Sequence, residues 1–127
     1  KKLRVWNDAI ELYIETSKIL LQFPYELKKV ASNSIDAAHS ISRNIAEGYC
    51  RKSIKEYLKH LYIALGSSGE LHTCLFNFLK ANQISEAEFN KLDQIHYKTE
   101  NELIQLVKSI QNKMNNNDWS DDFLNIS

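Results

Sequence analysis

Glycine and proline are scarce in this chain, which has three glycines and one proline among 127 residues. Both residues interrupt helices and fill the tight turns that connect short strands. A turn-rich all-β fold is therefore excluded, while long helices can run between the few breaks available. The sequence predicts an all-α fold.

Apolar residues recur at helical spacing in four segments. The first runs from about Val5 to Gln22 and stops at Phe23-Pro24, because proline disfavours a helical residue before it. The second runs from Glu26 to Gly48, a glycine that we expect in the left-handed conformation that ends a helix. The stripe that it turns inward is predicted to be Leu27, Val30, Ala31, Ser34, Ala38, Ile41 and Ile45.

Capping boxes mark the starts of two more helices, since Ser53 is followed by Glu56 and Ser85 by Glu88. The third helix is expected to run to about Ala81 and the fourth through Met114. For the third, the predicted buried residues are Ile54, Tyr57, Leu58, Leu61, Leu65, Leu75, Phe76 and Leu79. For the fourth, they are Phe89, Leu92, Ile95, Leu103, Leu106, Val107, Ile110 and Met114. Short connections predict an antiparallel up-down-up-down four-helix bundle over residues 1–114.

Residues 115–127 form a C-terminal tail in which the helical pattern breaks. Trp119, Phe123 and Ile126 follow the break at helical spacing. The tail is either docked on the bundle as a short helix or disordered until a partner orders it. We favour docking, because a bare tryptophan and phenylalanine are poorly accommodated in water.

Charge and composition narrow the class of protein. Sixteen Lys and Arg balance sixteen Asp and Glu, which excludes a strongly basic binder of the histone type. No apolar run is long enough for a membrane span, and the start of the chain lacks the apolar core of a signal peptide. Cys50 and Cys74 are then expected as reduced thiols, and the expected compartment is the cytoplasm.

The apolar arc of the first helix is wider than a peripheral bundle helix needs. Leu12 and Ile19 lie on one shoulder of the arc, and Ile14 and Leu21 lie on the other. Self-association through these residues is the simplest explanation, and scattered surface hydrophobics are the alternative.

The second helix has a polar face opposite its inward stripe. Arg43 and Glu47 on this face are four residues apart, so we expect them to form an ion pair. This face is either solvated or a polar seam against a neighbouring subunit.

Two sequences resemble the carboxylate-x-x-His pairs of di-iron bundles, Asp36-x-x-His39 and Asp93-x-x-His96. Asp36 points away from the inward stripe, and His96 falls in the core arc without a matched partner. We therefore predict no metal site and no cofactor. His72, on the apolar stripe of the third helix, is expected to be a hydrogen-bonded core histidine.

Motifs of catalysis are missing from the sequence. It contains no phosphate-binding loop, dinucleotide fingerprint or zinc spacing. The run Gly66-Ser67-Ser68-Gly69 falls inside a helix and not on a strand-to-helix turn, so it is no nucleophile elbow. We expect a protein that is not an enzyme and takes no small-molecule substrate.

The run from Ser40 to Gly48 resembles the motif S-I-x-x-N-I-A-E-G of a bacterial four-helix-bundle family, the proteins encoded within 23S rRNA intervening sequences. Three further landmarks agree: Trp6 with Ala9, Phe23-Pro24, and Gly66-Ser67 followed by Glu70-Leu71. The resemblance implies a ring, a homopentamer. The family is also similar to accessory proteins of diversity-generating retroelements, which bind nucleic acid and are markedly basic.

Basic residues collect at one predicted pole of the bundle, where the first helix starts, the second meets the third, and the fourth ends. They are Lys1, Lys2, Arg4, Arg51, Lys52, Lys55, Lys59, Lys108 and Lys113. The nucleic-acid-binding candidates among them are Arg4, Arg51, Lys52, Lys55 and Lys59. We predict a non-catalytic oligomeric adaptor that binds RNA, DNA or a ribonucleoprotein there; the alternative is a structural or protein-binding oligomer with no nucleic-acid role.

Overall fold

The computed structural model describes residues 3–116, and every regular element in that range is helical. The elements are α1 (Arg4–Leu20), α2 (Lys28–Cys50), α3 (Ile54–Lys80) and α4 (Glu86–Asn115), with a 3-10 turn at Tyr25–Leu27 before α2. Within this range no helix has the length and apolarity needed to cross a bilayer. The predicted all-α four-helix architecture is confirmed.

The helices form an antiparallel bundle in which α1 packs against α2 and α4, and α3 packs against the same two helices. Three salt bridges between α1 and α4 show that these helices are antiparallel, because the residue numbers increase along α1 while those of the partners decrease along α4. They are Arg4–Glu102 at 3.3 Å, Lys98–Asp8 at 3.3 Å and Lys91–Glu15 at 2.9 Å. α1 and α3 therefore lie diagonally across the bundle.

The core is aliphatic, with one tyrosine among its large, fully buried side chains. All four helices contribute to it. These residues are Leu12, Leu20, Ile41, Ile45, Ile54, Tyr57, Leu61, Leu71, Leu75, Leu92, Leu103 and Ile110. Burying a large aliphatic side chain stabilises the fold by about 1.5–3 kcal/mol, so this set holds the four helices together.

Side-chain caps begin α3 and α4 where the sequence predicted them. The Ser53 hydroxyl accepts the Glu56 backbone N–H at 3.3 Å. Ser85 and Glu88 form the complete capping box, in which each side chain accepts the other's backbone N–H. The caps occupy amide groups that the first turn of each helix leaves without a partner.

Near the C-terminal end of α3, the buried residues differ from the predicted ones. Phe76 is 45% exposed, and its ring lies under the Lys80 ammonium group. Phe78 is buried instead, with its ring packed edge-on against Phe23 at 5.0 Å. The buried face rotates gradually around the axis of a 27-residue helix. A pattern of buried positions assigned near the start of α3 therefore becomes wrong near its end.

Gly48 does not end α2. The helix continues to Cys50, and no glycine in the described residues has a positive φ. Gly48 lies where α2 comes closest to α3: a β-carbon built on it would meet His60 Cβ at 2.8 Å and Tyr57 Cδ1 at 3.1 Å. The predicted left-handed role is wrong, and the glycine is required by close helix packing.

The predicted tail lies almost wholly outside the described residues. Its aromatic positions Trp119 and Phe123 are in that part, so neither docking nor disorder is tested. The described chain ends with Asn115 as the last residue of α4 and Asn116 as its C-cap.

We predict that Gly48→Ala lowers the free energy of unfolding by about 1–3 kcal/mol, because the new methyl group overpacks the α2–α3 contact. The matched control, measured at a concentration that keeps the chain monomeric, is Gly66→Ala, where an added β-carbon meets no atom of residues 3–116 within 4 Å. That change should stabilise the helix by roughly 0.5–1 kcal/mol through backbone entropy. Urea unfolding of the two variants measures both effects; equal effects of the same sign would contradict the packing argument.

Candidate functional site

The turn between α2 and α3 presents lysines at one end of the bundle. Arg51 caps α2 by donating its backbone N–H to the Gly48 carbonyl at 3.2 Å, and Lys52 takes a left-handed conformation with φ of 57°. Ser53 then starts α3. This turn leaves Lys52, Lys55 and Lys59 exposed on the surface.

Two of the predicted nucleic-acid-binding residues form salt bridges with glutamates. Arg4 Nε lies 3.3 Å from Glu102 Oε2, and Arg51 Nη2 lies 3.0 Å from Glu47 Oε2. The hydrogen bond from Arg51 lowers the pKa of Glu47. The predicted Arg43–Glu47 salt bridge is not formed: Arg51, four residues on the other side of Glu47, takes its place.

Four exposed lysines near this turn form no salt bridge within the described chain. We call Lys52, Lys55, Lys59 and Lys108 the basic pole. Gln111 donates a hydrogen bond to the Tyr62 hydroxyl, which holds the last turns of α4 beside the first half of α3. The structure thus brings Lys108 to the same end of the bundle, whereas Lys1 and Lys2 lie outside the described residues.

The predicted interface residues divide into two groups. Leu12 is fully buried in the core of its own protomer, and Ile19 is half-buried against that core. Leu12 is therefore unavailable for a subunit interface, because the inward face of α1 includes this shoulder of the apolar arc. The other shoulder faces outward, with Ile14 43% and Leu21 75% exposed. Arg43 and Glu47 are also exposed.

Polar side chains link α2 to α3 along the Ser40–Gly48 motif. Asn44 donates from Nδ2 to the Ser40 carbonyl at 2.9 Å, which leaves its Oδ1 to accept from His60 Nδ1 at 3.0 Å. Ser67 donates to the Ser40 hydroxyl at 2.7 Å. Ser40, Asn44 and Gly48 recur every four residues, so the motif marks the face of α2 that meets α3. Sequence reasoning missed His60, which lies in a polar part of the motif's partner helix.

A second polar cluster lies between α3 and α4. His72 Nε2 is 3.0 Å from Asp93 Oδ1, and the His72 side chain is 44% exposed. His72 is therefore not the core histidine that was predicted. Its ring packs beside that of His96, with ring centroids 4.8 Å apart. One ligand atom each of His72, Asp93 and His96 lies within 4.8 Å of the others. The structure thus supplies the partner that His96 lacked in the sequence.

A pair of carboxyl groups lies on the α1–α4 seam. Burial, together with the neighbouring Asp8 carboxyl group, raises the pKa of Glu102 to about 7. Arg4 opposes the shift by stabilising the ionised carboxylate. Asp8 Oδ2 and Glu102 Oε1 are buried oxygens with no hydrogen-bond partner among residues 3–116.

Comparison with known protein families agrees with the motif and the bundle. The family described as 23S rRNA-intervening sequence protein matches residues 1–115. This chain belongs to that family. The match to the 23S rRNA-intervening sequence proteins ends at the last residue of α4, so it covers the whole bundle. No curated protein is significantly similar to the chain.

We predict that Glu102→Gln changes how stability depends on pH. With its folded-state pKa raised from 4.5 to about 7, Glu102 holds its proton more tightly in the folded chain. Its contribution to stability is complete below pH 4.5 and is lost as the pH rises through 7. Glutamine stays neutral, so the variant should gain stability relative to the parent between pH 5 and 8.

Chemical denaturation of both proteins at pH 5 and pH 8 measures this difference. Glu70→Gln is the matched control, since Glu70 is an exposed acid on α3 that forms no salt bridge in the described chain. If the stability of the parent and of the Glu102→Gln variant changed with pH in the same way, Glu102 would not have a raised pKa in the folded chain.

Proposed function

We propose that this chain is a non-catalytic, oligomeric adaptor that binds RNA through its basic pole. The observation that carries the proposal is that Lys52, Lys55, Lys59 and Lys108 form no salt bridge with any residue from 3 to 116, in a chain whose formal net charge is zero. Elsewhere on the bundle, lysines such as Lys91 and Lys98 hold carboxylates. Ammonium groups without carboxylate partners are available to phosphates.

An aromatic side chain borders the basic pole. Tyr62 is 47% exposed and lies one turn after Lys59 on α3. Lysines that contact the backbone together with a ring on which a base stacks are the usual components of single-strand binding surfaces. The pairing of Tyr62 with Lys59 favours RNA with unpaired bases over a regular duplex.

Two outward faces of the protomer support self-association. Ile14 on α1 and Leu21, the C-cap of α1, share one face and are exposed. On α3, an exposed stripe of small residues ends at an aromatic one: Gly66, Gly69, Thr73 and Phe76. Because α1 and α3 lie diagonally across the bundle, these faces point in opposite directions.

Opposed faces of this kind lead to head-to-tail assembly, which closes into a ring when the rotation between neighbours allows it. We propose a homopentamer in which the α1 face of one copy packs on the α3 face of the next. The ring repeats the basic pole on one side. Several weak phosphate contacts then act together on one RNA molecule.

We predict that Lys55→Glu with Lys59→Glu abolishes RNA binding, because the change removes two free cations and adds two acids. The matched control is Lys28→Glu with Lys29→Glu, an equal charge reversal at the opposite end of the bundle. Fluorescence anisotropy with a labelled single-stranded RNA measures affinity at several salt concentrations. Parent affinity should fall steeply between about 50 and 200 mM salt.

Two results would contradict this function. An intact oligomer that retains no RNA at low salt would indicate the structural or protein-binding alternative. Equal losses in the pole variant and the control variant would show that binding follows net charge and not the basic pole.

We predict that Gly69→Arg breaks the assembly without unfolding the protomer, since a β-carbon at Gly69 meets no atom of residues 3–116 within 4 Å. Ile14→Glu should act from the opposite face. Gln94→Arg on the exposed face of α4 is the control and should leave assembly unchanged. Light scattering coupled to size exclusion should give the parent a mass several times 14.8 kDa. A monomeric parent at tens of micromolar rules out the ring.

A further inference from the structure

The α3–α4 seam brings together side chains that ligate metals. We propose that His72, Asp93 and His96 bind a divalent transition-metal ion of the zinc class. The three residues come from two helices: His72 lies on α3, and Asp93 and His96 lie one turn apart on α4. This proposal is independent of RNA binding.

The distances fit a site that contracts slightly around its ion. Ligand bonds of about 2.0–2.2 Å in a tetrahedral zinc site place the ligand atoms roughly 3.3 Å from one another. His72 Nε2 and Asp93 Oδ1 are already 3.0 Å apart, and all three ligand atoms lie within 4.8 Å. The side chains of His72 and Asp93 are 44% and 42% exposed, so they are free to move towards a 5%-exposed His96.

The hydrogen bonds around His96 determine its tautomer, and that tautomer can bind a metal ion. Its Nε2 lies 2.9 Å from both the carbonyl and the hydroxyl of Ser68. That hydroxyl donates its own proton to Glu100 Oε2 at 2.9 Å. Both Ser68 oxygens therefore accept, and His96 must carry its proton on Nε2. The neutral ring then has its lone pair on Nδ1, and its N–H is held by partners of the kind that support metal-binding histidines.

The ligand set indicates which ions suit the site. Two imidazoles and one carboxylate favour zinc, cobalt or nickel over magnesium and calcium, which prefer oxygen ligands. Three protein ligands leave a coordination position open to water, since His72 and Asp93 face solvent. An ion bound there also joins α3 to α4 and so stabilises the folded chain over the unfolded one.

The test is a calorimetric titration of the full-length, untagged, metal-free protein with Zn²⁺. We expect one equivalent per chain and a melting temperature that rises with Zn²⁺. His72→Gln and Asp93→Asn should each lose affinity by more than the roughly 10- to 100-fold expected for loss of an outer partner. Glu100→Gln, which weakens the support of His96 through Ser68, should fall within that smaller range.

A second Asp-x-x-His pair in this chain serves as a control for the Zn²⁺ titration. Asp36 and His39 repeat the Asp-x-x-His arrangement on α2, and the His39 ring packs against Tyr13 at 5.3 Å. Asp36→Asn with His39→Gln should therefore leave Zn²⁺ affinity unchanged. Because His72 and Asp93 are half-exposed, their variants should fold as the parent does, which circular dichroism checks.

Two outcomes would overturn the proposal. One is a parent protein that binds less than one equivalent of Zn²⁺ in the micromolar range. The other is binding that survives both His72→Gln and Asp93→Asn, which would assign the ion to the thiols of Cys50 and Cys74 or to the exposed acids.

Discussion

The close approach of α2 to α3 at Gly48 is the contact on which the rest of the bundle depends. A β-carbon there would stand 2.8 Å from His60 Cβ, so only glycine allows the two helices this separation. The same approach brings His60 Nδ1 within 3.0 Å of Asn44 Oδ1, which satisfies two buried polar groups. A buried histidine or asparagine left without its partner costs about 1–3 kcal/mol, so glycine and the polar pair must occur together.

The Ser40–Gly48 motif, on which the resemblance to the family rests, is thus largely a packing motif. Its residues at every fourth position face α3, while Glu47 points to solvent and holds Arg51. The contact between helices also sets the position of the following turn, where Lys52 adopts a positive φ. The motif therefore acts on the basic pole indirectly: it specifies where α3 starts, and the start of α3 places Lys55 and Lys59.

The sequence was sufficient to predict the helices and the caps, because those depend on local periodicity and on hydrogen bonds within one turn. It was insufficient wherever the outcome depended on a second helix. Gly48 looks like a helix terminator until His60 is placed against it. His72 looks like a core residue until Asp93, twenty-one positions later, is found beside it. Leu12 looks like a surface shoulder until the neighbouring helices close over it.

The three glycines of this chain divide into one that the packing of the bundle requires and two that it does not. Glycine in the interior of a helix is about 0.8–1.0 kcal/mol less favourable than alanine. At Gly48 the packing against α3 explains that cost, since alanine does not fit. At Gly66 and Gly69 nothing between residues 3 and 116 explains it, because a β-carbon at either position meets no atom of that range within 4 Å. Both lie on the outward face of α3 between exposed Tyr62 and Phe76. A neighbouring helix packed closely on that face would give these glycines the same reason to be there that α3 gives Gly48.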